Sequence, residues 1–343
     1  MTLMIVGDYW SKEDLQNGQS FSSGMRYLLN TFLDSAQINR DDCYFTDVFH
    51  EYPTSSNIFA FCGTKAEGIP DLPLIAQGKY IKREHEHHIE RLYREIKIVK
   101  PNLILALGAA AFAVLLRAKV PLRANRGGVF FLDIPGYDTP VKVLGTHHPR
   151  EIHREWNLRP IVIADFIRAS DQMCSPDYNR PHRMIWTEPT IPDLHSFEKE
   201  FLTPDWAVPC GVDIETKRET ITEIGFSPRT DLAIVIPFYS REHRDGNYWR
   251  TPREELLAWI TVRRWLLNLR TPIFQNGLYD LNYLWRTMGM ITPGAGEDTM
   301  LLAHALQPEL KKGLAFLGSI YGDEPPWKMM RKRGNETMKK EDT

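Results

Sequence analysis

Short, unbroken apolar runs alternate with amphipathic stretches through the first half of the chain. Leu3–Val6 and Leu103–Leu107 are continuous apolar segments of strand length, the pattern of parallel strands covered on both faces. Cys43–Val48 and Val141–Gly145 read as two further strands. Between them, Gly24–Asp34 sets Met25, Leu28, Leu29 and Phe32 on one helical face. Arg83–Val99 is a long amphipathic helix that stops at Lys100-Pro101-Asn102. Ala109–Leu116, after the Gly108 turn, and Leu158–Ala169 also read as helices. This alternation predicts a three-layer α/β domain around a parallel sheet.

The rhythm breaks over Ser170–Pro181, which carries Pro176, Asn179 and Pro181 and no apolar period. A boundary is placed there, giving a first domain at 1–172, a linker at 173–182 and a second domain at 183–343. The second domain opens with a strand, Arg183–Trp186, and a helix, Asp193–Phe201. Strands follow at Ala207–Asp213, Thr222–Ser227 and Leu232–Pro237, then helices at Arg253–Asn268 and Tyr279–Met288 around the strand Pro272–Phe274. Trp249, Trp259 and Trp265 are expected in its core or between its helices.

Composition changes this picture little. The 343 residues are 43% hydrophobic and 25% charged, as in a globular protein long enough for two cores. A formal net charge of −2 means that any nucleic-acid contact rests on local patches. The start, MTLMIVGDYW, lacks the basic segment of a signal peptide. No run reaches the length of a membrane span. Cys43, Cys62, Cys174 and Cys210 are far apart, without a CxxC pair, as expected for free thiols in a reducing cytosol.

Candidate chemistry in the second domain begins with Asp213-Ile214-Glu215 at the end of an apolar strand. Residues two apart on a strand share a face, so two carboxylates converge with Ile214 buried behind them. A divalent cation relieves their repulsion, and an oxygen-rich site selects Mg²⁺ or Mn²⁺. Asn276-Gly277-Leu278-Tyr279-Asp280 opens a helix after a second apolar strand, with Asn276 anchoring the turn and Asp280 facing Asp213. Three carboxylates from two distant segments can hold one metal and part of a second. The segments DIETKRETITEIGFS, FQNGLYDLNYL and EDTMLLAHALQPELKKGLAFL resemble the exonuclease domain of family A DNA polymerases, within the DnaQ-like (DEDD) superfamily. The resemblance covers about residues 183–327. It implies an RNase H-like α/β fold and a two-metal 3′–5′ exonuclease, with Asp213, Glu215 and Asp280 as catalytic metal ligands and Asn276 in support. Asp298 is read as structural, at a strand end. The family's last acid lies in a Tyr-x₃-Asp segment that this sequence lacks, since Met338 stands four before Asp342. Weak or absent turnover, and a split or truncated polymerase gene, are therefore expected.

In the first domain, Gly7-Asp8 ends the first strand, Asp47 the second and His147-His148-Pro149 a later one, where α/β sheets place their ligands. Gly7-Asp8, Gly18-Gln19-Ser20-Phe21, Phe45-Thr46-Asp47, Leu103–Gly108 and His148-Pro149 resemble the uracil-DNA glycosylase superfamily, in its thermostable iron–sulfur branch, over about residues 2–168. The resemblance implies a base flipped into a pocket. Phe21 would stack on the base, Asp8 would act near the sugar, and His148 would donate to the base oxygen. Relative to the family pattern, Asp8 replaces Glu, Trp10 replaces Pro, Arg150 replaces Ser, and Asp47 replaces the base-reading Asn. An ionised Asp47 only accepts hydrogen bonds, which argues against ordinary uracil and leaves a cytosine-type amino group or a non-catalytic role. The cluster cysteines are missing, with Glu51 near the place of one, so no iron–sulfur cluster is expected.

The resulting expectation is a phage-type DNA replication or repair protein in the host cytoplasm, acting on single-stranded 3′ ends beside a separately encoded polymerase, with no membrane contact. Two other readings stay open: a non-catalytic DNA-binding or polymerase-docking module, and an active glycosylase on uracil or a modified base. His85, His87 and His88, among Lys82, Arg83, Glu84 and Glu86, are read as a solvated helix face. Arg123, Arg126 and Gly127-Gly128 are read as a phosphate path, and Lys328–Arg333 as a charged tail or DNA contact.

Overall fold

A computed structural model of the chain describes residues 2–55, 57–75, 78–134, 137, 140–178, 182–203, 206–217, 219–293 and 296–322. Two compact units emerge: Met1–Tyr178 with the segment from Ala315 onward, and Asn179–Leu314.

In the first unit the strands are β1 (Leu3–Tyr9), β2 (Cys43–Phe49), β3 (Cys62–Gly63), β4 (Tyr80–Ile81), β5 (Leu103–Leu107), β6 (Val129–Leu132) and β7 (Val141–Thr146). The main sheet runs β2-β1-β5-β7-β6, and β3 and β4 form a separate small ribbon. The first four strands of the main sheet are parallel, and β6 is an antiparallel edge that the alternation of strands and helices does not announce. The helices are α1 (Lys12–Asn17), α2 (Met25–Ser35), α3 (Glu86–Val99), α4 (Ala109–Leu116), α5 (Leu122–Asn125), α6 (Pro149–Ile152) and α7 (Arg159–Met173).

Strand alternation divides the core into two layers. Met4, Val6, Ile104 and Ala106 pack with Leu92, Ile96 and Phe112 from α3 and α4. Leu3, Ile5, Leu103, Leu105 and Leu107 pack with Leu29, Phe32, Val162 and Phe166 from α2 and α7. Burial on both faces explains why β5 reads as an uninterrupted apolar run. The expected three-layer α/β arrangement is what the chain adopts. From β1 the chain goes to β2 on one side and later to β5 on the other, so a crevice opens at the carboxyl ends of β1 and β5.

The second unit has β8 (Met184–Trp186), β9 (Cys210–Lys217), β10 (Thr220–Arg229), β11 (Leu232–Pro237), β12 (Pro272–Phe274) and β13 (Glu297–Asp298), in the order β13-β12-β9-β10-β11-β8. Strands β9, β10 and β11 form an antiparallel meander, with the other strands parallel to their neighbours. Its helices are α8 (Ile191–Phe197), α9 (Pro252–Asn268), α10 (Leu278–Met288) and α11 (Thr299–Leu306). Val212, Ile214, Ile224, Phe226, Ile234 and Ile236 face a core that contains Phe197, Val262 and the fully buried Trp265. Trp249 is buried, and Trp259 stacks on Phe238 with ring centres 3.5 Å apart.

Three sequence expectations shift. The helix expected at Asp193–Phe201 ends at Phe197 and continues as a wider turn, Glu198–Leu202. The strand expected at Ala207–Asp213 begins at Cys210 and runs on to Lys217. Pairing with β10 extends it, so Asp213 and Glu215 stand within the strand and not at its end. The domain expected to run to residue 343 closes at Leu314 as a compact unit. The next helix, α12 (Leu314–Tyr321), packs with the first unit. There Arg126 and Arg168 donate to the Ser319 carbonyl at 3.1 and 3.0 Å, and Arg168 also reaches the carbonyls of Ile320 and Gly322. Carbonyls at a helix C-terminus lack partners within the helix, and two buried guanidiniums supply them. Arg126 is therefore not a phosphate ligand: it is 2% exposed and bonded to Asp165 at 2.9 Å. Lys328–Arg333 and Met338–Asp342 lie outside the described residues.

Candidate functional site

The crevice of the first unit gathers Asp8, Phe21, Asp47 and His148. Asp8 follows Gly7 near the end of β1, and its Oδ1 accepts from the Ala111 backbone N–H at 2.9 Å, in the first turn of α4. The turn at Gly108 makes room for it. Gly108 has φ +104°, and a Cβ there would stand 2.7 Å from Asp8 Oδ2. Burial pushes the Asp8 carboxyl up to about 6, against the pull of the Ala111 N–H and of Arg150.

Asp47, on β2, is 2% exposed. Burial pushes it up to about 7, opposed by a hydrogen bond from Ser20 and by Arg150 and reinforced by Asp14 and Asp8. The Ser20 hydroxyl is itself fixed by the Trp10 indole N–H at 2.8 Å. Trp10 in turn stacks on His50 at 4.4 Å. Gly7 is the floor of this pocket: a Cβ there would meet Asp47 Oδ1 at 2.2 Å and Phe21 Cζ at 2.7 Å. Phe21 lies nearly parallel to the His148 ring, 6.3 Å between centres at 23°.

His148 caps α6 and accepts at Nδ1 from the Arg150 N–H at 3.1 Å. Burial holds its pKa well below the ordinary histidine value, so the ring is neutral. With Nδ1 accepting, the single proton sits on Nε2. That Nε2 is buried and has no hydrogen-bond partner. The pocket thus presents a fixed N–H donor, an aromatic face and two carboxyls whose protonation changes near neutrality.

In the second unit, Asp213 and Glu215 stand on the solvent face of β9, with Ile214 buried between them. Asp280, in the first turn of α10, is 4% exposed, and its Oδ1 accepts from the Ile214 N–H at 3.0 Å. Strand β12 pairs with β9 only as far as Gly211. The edge beyond is open, and the start of α10 fills it. Burial raises Asp280 to about 6, with Asp213 adding to the shift. Burial and then Glu215 raise Asp213. This oxygen donor set suits Mg²⁺ or Mn²⁺, and the mutual repulsion is what a cation relieves. The three carboxylates are not drawn together as tightly as 4.8 Å among all their ligand atoms.

Asn276 takes a left-handed conformation at φ 60°, which Asn tolerates. Asp298 pins that turn. Its carboxylate accepts from the N–H groups of Asn276 at 3.2 Å and Gly277 at 2.8 Å, and from Met300 at 2.8 Å at the start of α11. Asp298 is thus a positioning group. Across the sheet, Asp213 pairs with Gly225 and Gly225 with Val235, while Glu215 pairs with Glu223 and Glu223 with Pro237. Directly paired residues share a face. On this face, Glu223, Val235 and Pro237 line a groove of about 890 Å³ together with Tyr239, Tyr248 and Arg250.

Several contributors escape the sequence reading. Arg91 on α3 donates to the carbonyls of Asp47 and Val48 at 2.6 and 2.9 Å and so fixes the end of β2. Its signal was the Arg91/Glu95 pair on one helical face. Ser20 and Gly7 were visible only as neighbours of Phe21 and Asp8. The histidine stretch is not uniformly solvated: His87 is exposed, but His88 is 5% exposed and faces Phe49.

Residues 1–169 match the family model of the uracil DNA glycosylase superfamily, and this part of the chain is a domain of that kind. Among solved structures, the chain is similar to Brucella melitensis NrnC, at 18% identity and a TM-score of 0.27, over 40% of this chain and 59% of that one. It is also similar to the EXD2 exonuclease domain, at 15% identity and a TM-score of 0.26, over 41% of this chain and 70% of that one. The chain therefore spans about three fifths of the length of the NrnC structure. No described helix is long and apolar enough to cross a membrane.

Proposed function

We propose that this protein processes DNA, and that its second unit is a 3′–5′ exonuclease of the proofreading type acting on single-stranded 3′ ends. The observation that carries this reading is the buried Asp280 carboxylate, anchored on the Ile214 N–H between the exposed carboxylates of Asp213 and Glu215. Asp213, Glu215 and Asp280 would hold Mg²⁺ or Mn²⁺. Bound there, the ions supply an activated water and stabilise the departing 3′ oxygen. The chain's own contribution is position. Asp298 holds the Asn276 turn, the turn sets α10, and α10 sets Asp280 beside β9. The adjoining groove, with Tyr239, Tyr248 and Arg250, offers ring faces and a cation to a single strand.

The test is a 5′-labelled single-stranded oligonucleotide incubated with Mg²⁺ or Mn²⁺. Shortening from the 3′ end is expected, slower than at a site with the family's fourth acid, abolished by EDTA and reduced by about 100-fold or more in Asp213→Ala, the scale of a lost transition-state contact. Cleavage that survives unchanged in Asp213→Ala would remove Asp213 from the site, and oligonucleotide retained by the wild type without cleavage would replace this reading by that of a binding module.

A second reading rests on His148 Nε2, a buried donor without an acceptor opposite the Phe21 ring. In this reading the first unit holds an extruded base, with His148 donating to its oxygen as charge develops and Asp8 beside the sugar. Alkali-labile sites should appear in a uracil-containing oligonucleotide with EDTA present, and His148→Ala should remove them. Their absence from the wild-type digest would leave the pocket without excision chemistry on uracil.

A further inference from the structure

Glu51, His85 and His88 lie outside both sites described above. One ligand atom from each lies within 4.8 Å of the others, and no other group of three or more histidine, cysteine or carboxylate side chains among the described residues is as compact. The arrangement follows from local structure. Glu51 comes just after β2, His85 closes the short turn Arg83–His85, and His88 stands in the first turn of α3. Residues three apart at a helix start share a face, and the two rings lie 6.2 Å apart at 28°.

The walls are apolar on one side and open on the other. Phe49 meets both histidines edge-on, at 5.9 and 5.6 Å, and Phe61 meets His85 at 5.0 Å. The Glu51 side chain is 49% exposed. Glu84 reaches His85 Nε2 at 3.4 Å from the solvent side. His88 Nε2 is 3.2 Å from Glu51 Oε1, yet it is buried and makes no hydrogen bond. A residue only 5% exposed thus directs an unsatisfied polar atom at a carboxylate that does not complete it, an arrangement that costs free energy unless a third party fills the gap.

We propose that Glu51, His85 and His88 bind one first-row divalent cation of the Zn²⁺ class, with water in the remaining position on the open side. Two imidazoles and one carboxylate favour such an ion over Mg²⁺ or Ca²⁺, which take oxygen donors. Three protein ligands and a water complete a four-coordinate site. The ion clamps the end of β2, the strand that carries Asp47, to the N-terminus of α3, so it serves the base pocket from outside.

The experiment uses the full chain without a histidine tag. Zn²⁺ affinity is measured by competition with a chromophoric chelator, and Co²⁺ is used as a spectroscopic probe. One equivalent of Zn²⁺ and a visible Co²⁺ band of low-coordinate type are expected in the wild type and in Asp213→Ala. Glu51→Ala and His85→Ala alter partly exposed side chains and keep the core intact. Each should weaken Zn²⁺ binding by more than the roughly 10- to 100-fold lost when only an outer partner of a ligand is removed. Zn²⁺ should raise the melting temperature of the wild type but not of these variants. The proposal is overturned if no Zn²⁺ binds, if affinity is unchanged in both variants, or if the Co²⁺ band disappears in Asp213→Ala instead.

Discussion

Asp47 changes meaning between sequence and structure. As an ionised carboxylate it only accepts hydrogen bonds. Buried in the crevice and raised to about 7, it is a carboxylic acid in much of the population at neutral pH and can both donate and accept, as an amide does. The same shift has a thermodynamic consequence. The unfolded side chain ionises near 3.8 and the native one near 7, so the native state binds more protons between these values and stability falls as pH rises through that window. Thermal unfolding of the first unit should therefore occur at lower temperature at pH 8 than at pH 5. Asp47→Asn should flatten that dependence, and a slope equal to the wild type's would refute the assignment. Gly7 is the second decisive residue. Gly7→Ala places a methyl 2.2 Å from Asp47 Oδ1 and should cost about 1–3 kcal/mol by overpacking, read by urea unfolding.

At the scale of elements, the sites depend on what happens at helix starts. Asp8 is held by the first turn of α4, His148 caps α6, and Asp280 stands in the first turn of α10. Helix starts offer unpaired N–H groups and fixed directions, so they recur where a side chain must be aimed. Asp298 is the element-level pin in the second unit, joining the Asn276–Gly277 turn to α11 through at least three backbone N–H groups. Asp298→Ala should cost about 1–2 kcal/mol, as for a lost N-cap. It should also lower nuclease rate through misplacement of Asp280, with Asp298→Asn recovering part of both. An unchanged unfolding midpoint would deny Asp298 this role. The helices α2 and α3 were legible to within a few residues because their apolar periodicity is strong, and α4, apolar on every face, because the Gly108 turn marks its start. The edge strand β6 and the extension of β9 were not, because each is set by antiparallel pairing with the next strand, β7 or β10, which the pattern of a single segment does not show.

At the scale of the molecule, the chain after Leu314 returns to the first unit through α12. The buried Arg126–Asp165 pair and Arg168 hold its C-terminal carbonyls. Arg126→Met removes the guanidinium bonded to Asp165 and leaves only Arg168 nearby, a change that costs up to about 3–5 kcal/mol when the remaining group stays charged. Asp165 is already raised to about 6 by burial, so the loss should be larger at pH 8 than at pH 5. Hydrogen exchange across residues 315–322 should accelerate in the same variant, and protection equal to the wild type's would show that other contacts secure α12. The two proposed chemistries should also separate by metal dependence: leaving out Mg²⁺ and Mn²⁺ should abolish 3′ shortening and leave base excision in place, whereas joint loss would contradict two independent sites.

The sequence by itself determined the α/β class of each unit and which acids share a face. Strand runs, helix periods and the Asp-x-Glu and Asn-x₃-Asp spacings are local, and local spacing decides which side chains share a face. It also supplied Asp8, Asp47 and His148 as strand-end residues of one crevice, and Phe21 through the family resemblance. Only the tertiary structure decided their state. Burial raised Asp47, Asp8 and Asp280 and kept His148 neutral, and burial is a property of what packs around a residue. The same holds for His88, which sits among charged neighbours in sequence and against Phe49 in space. It holds too for Arg126, a surface cation by composition that the fold places beneath a returning helix.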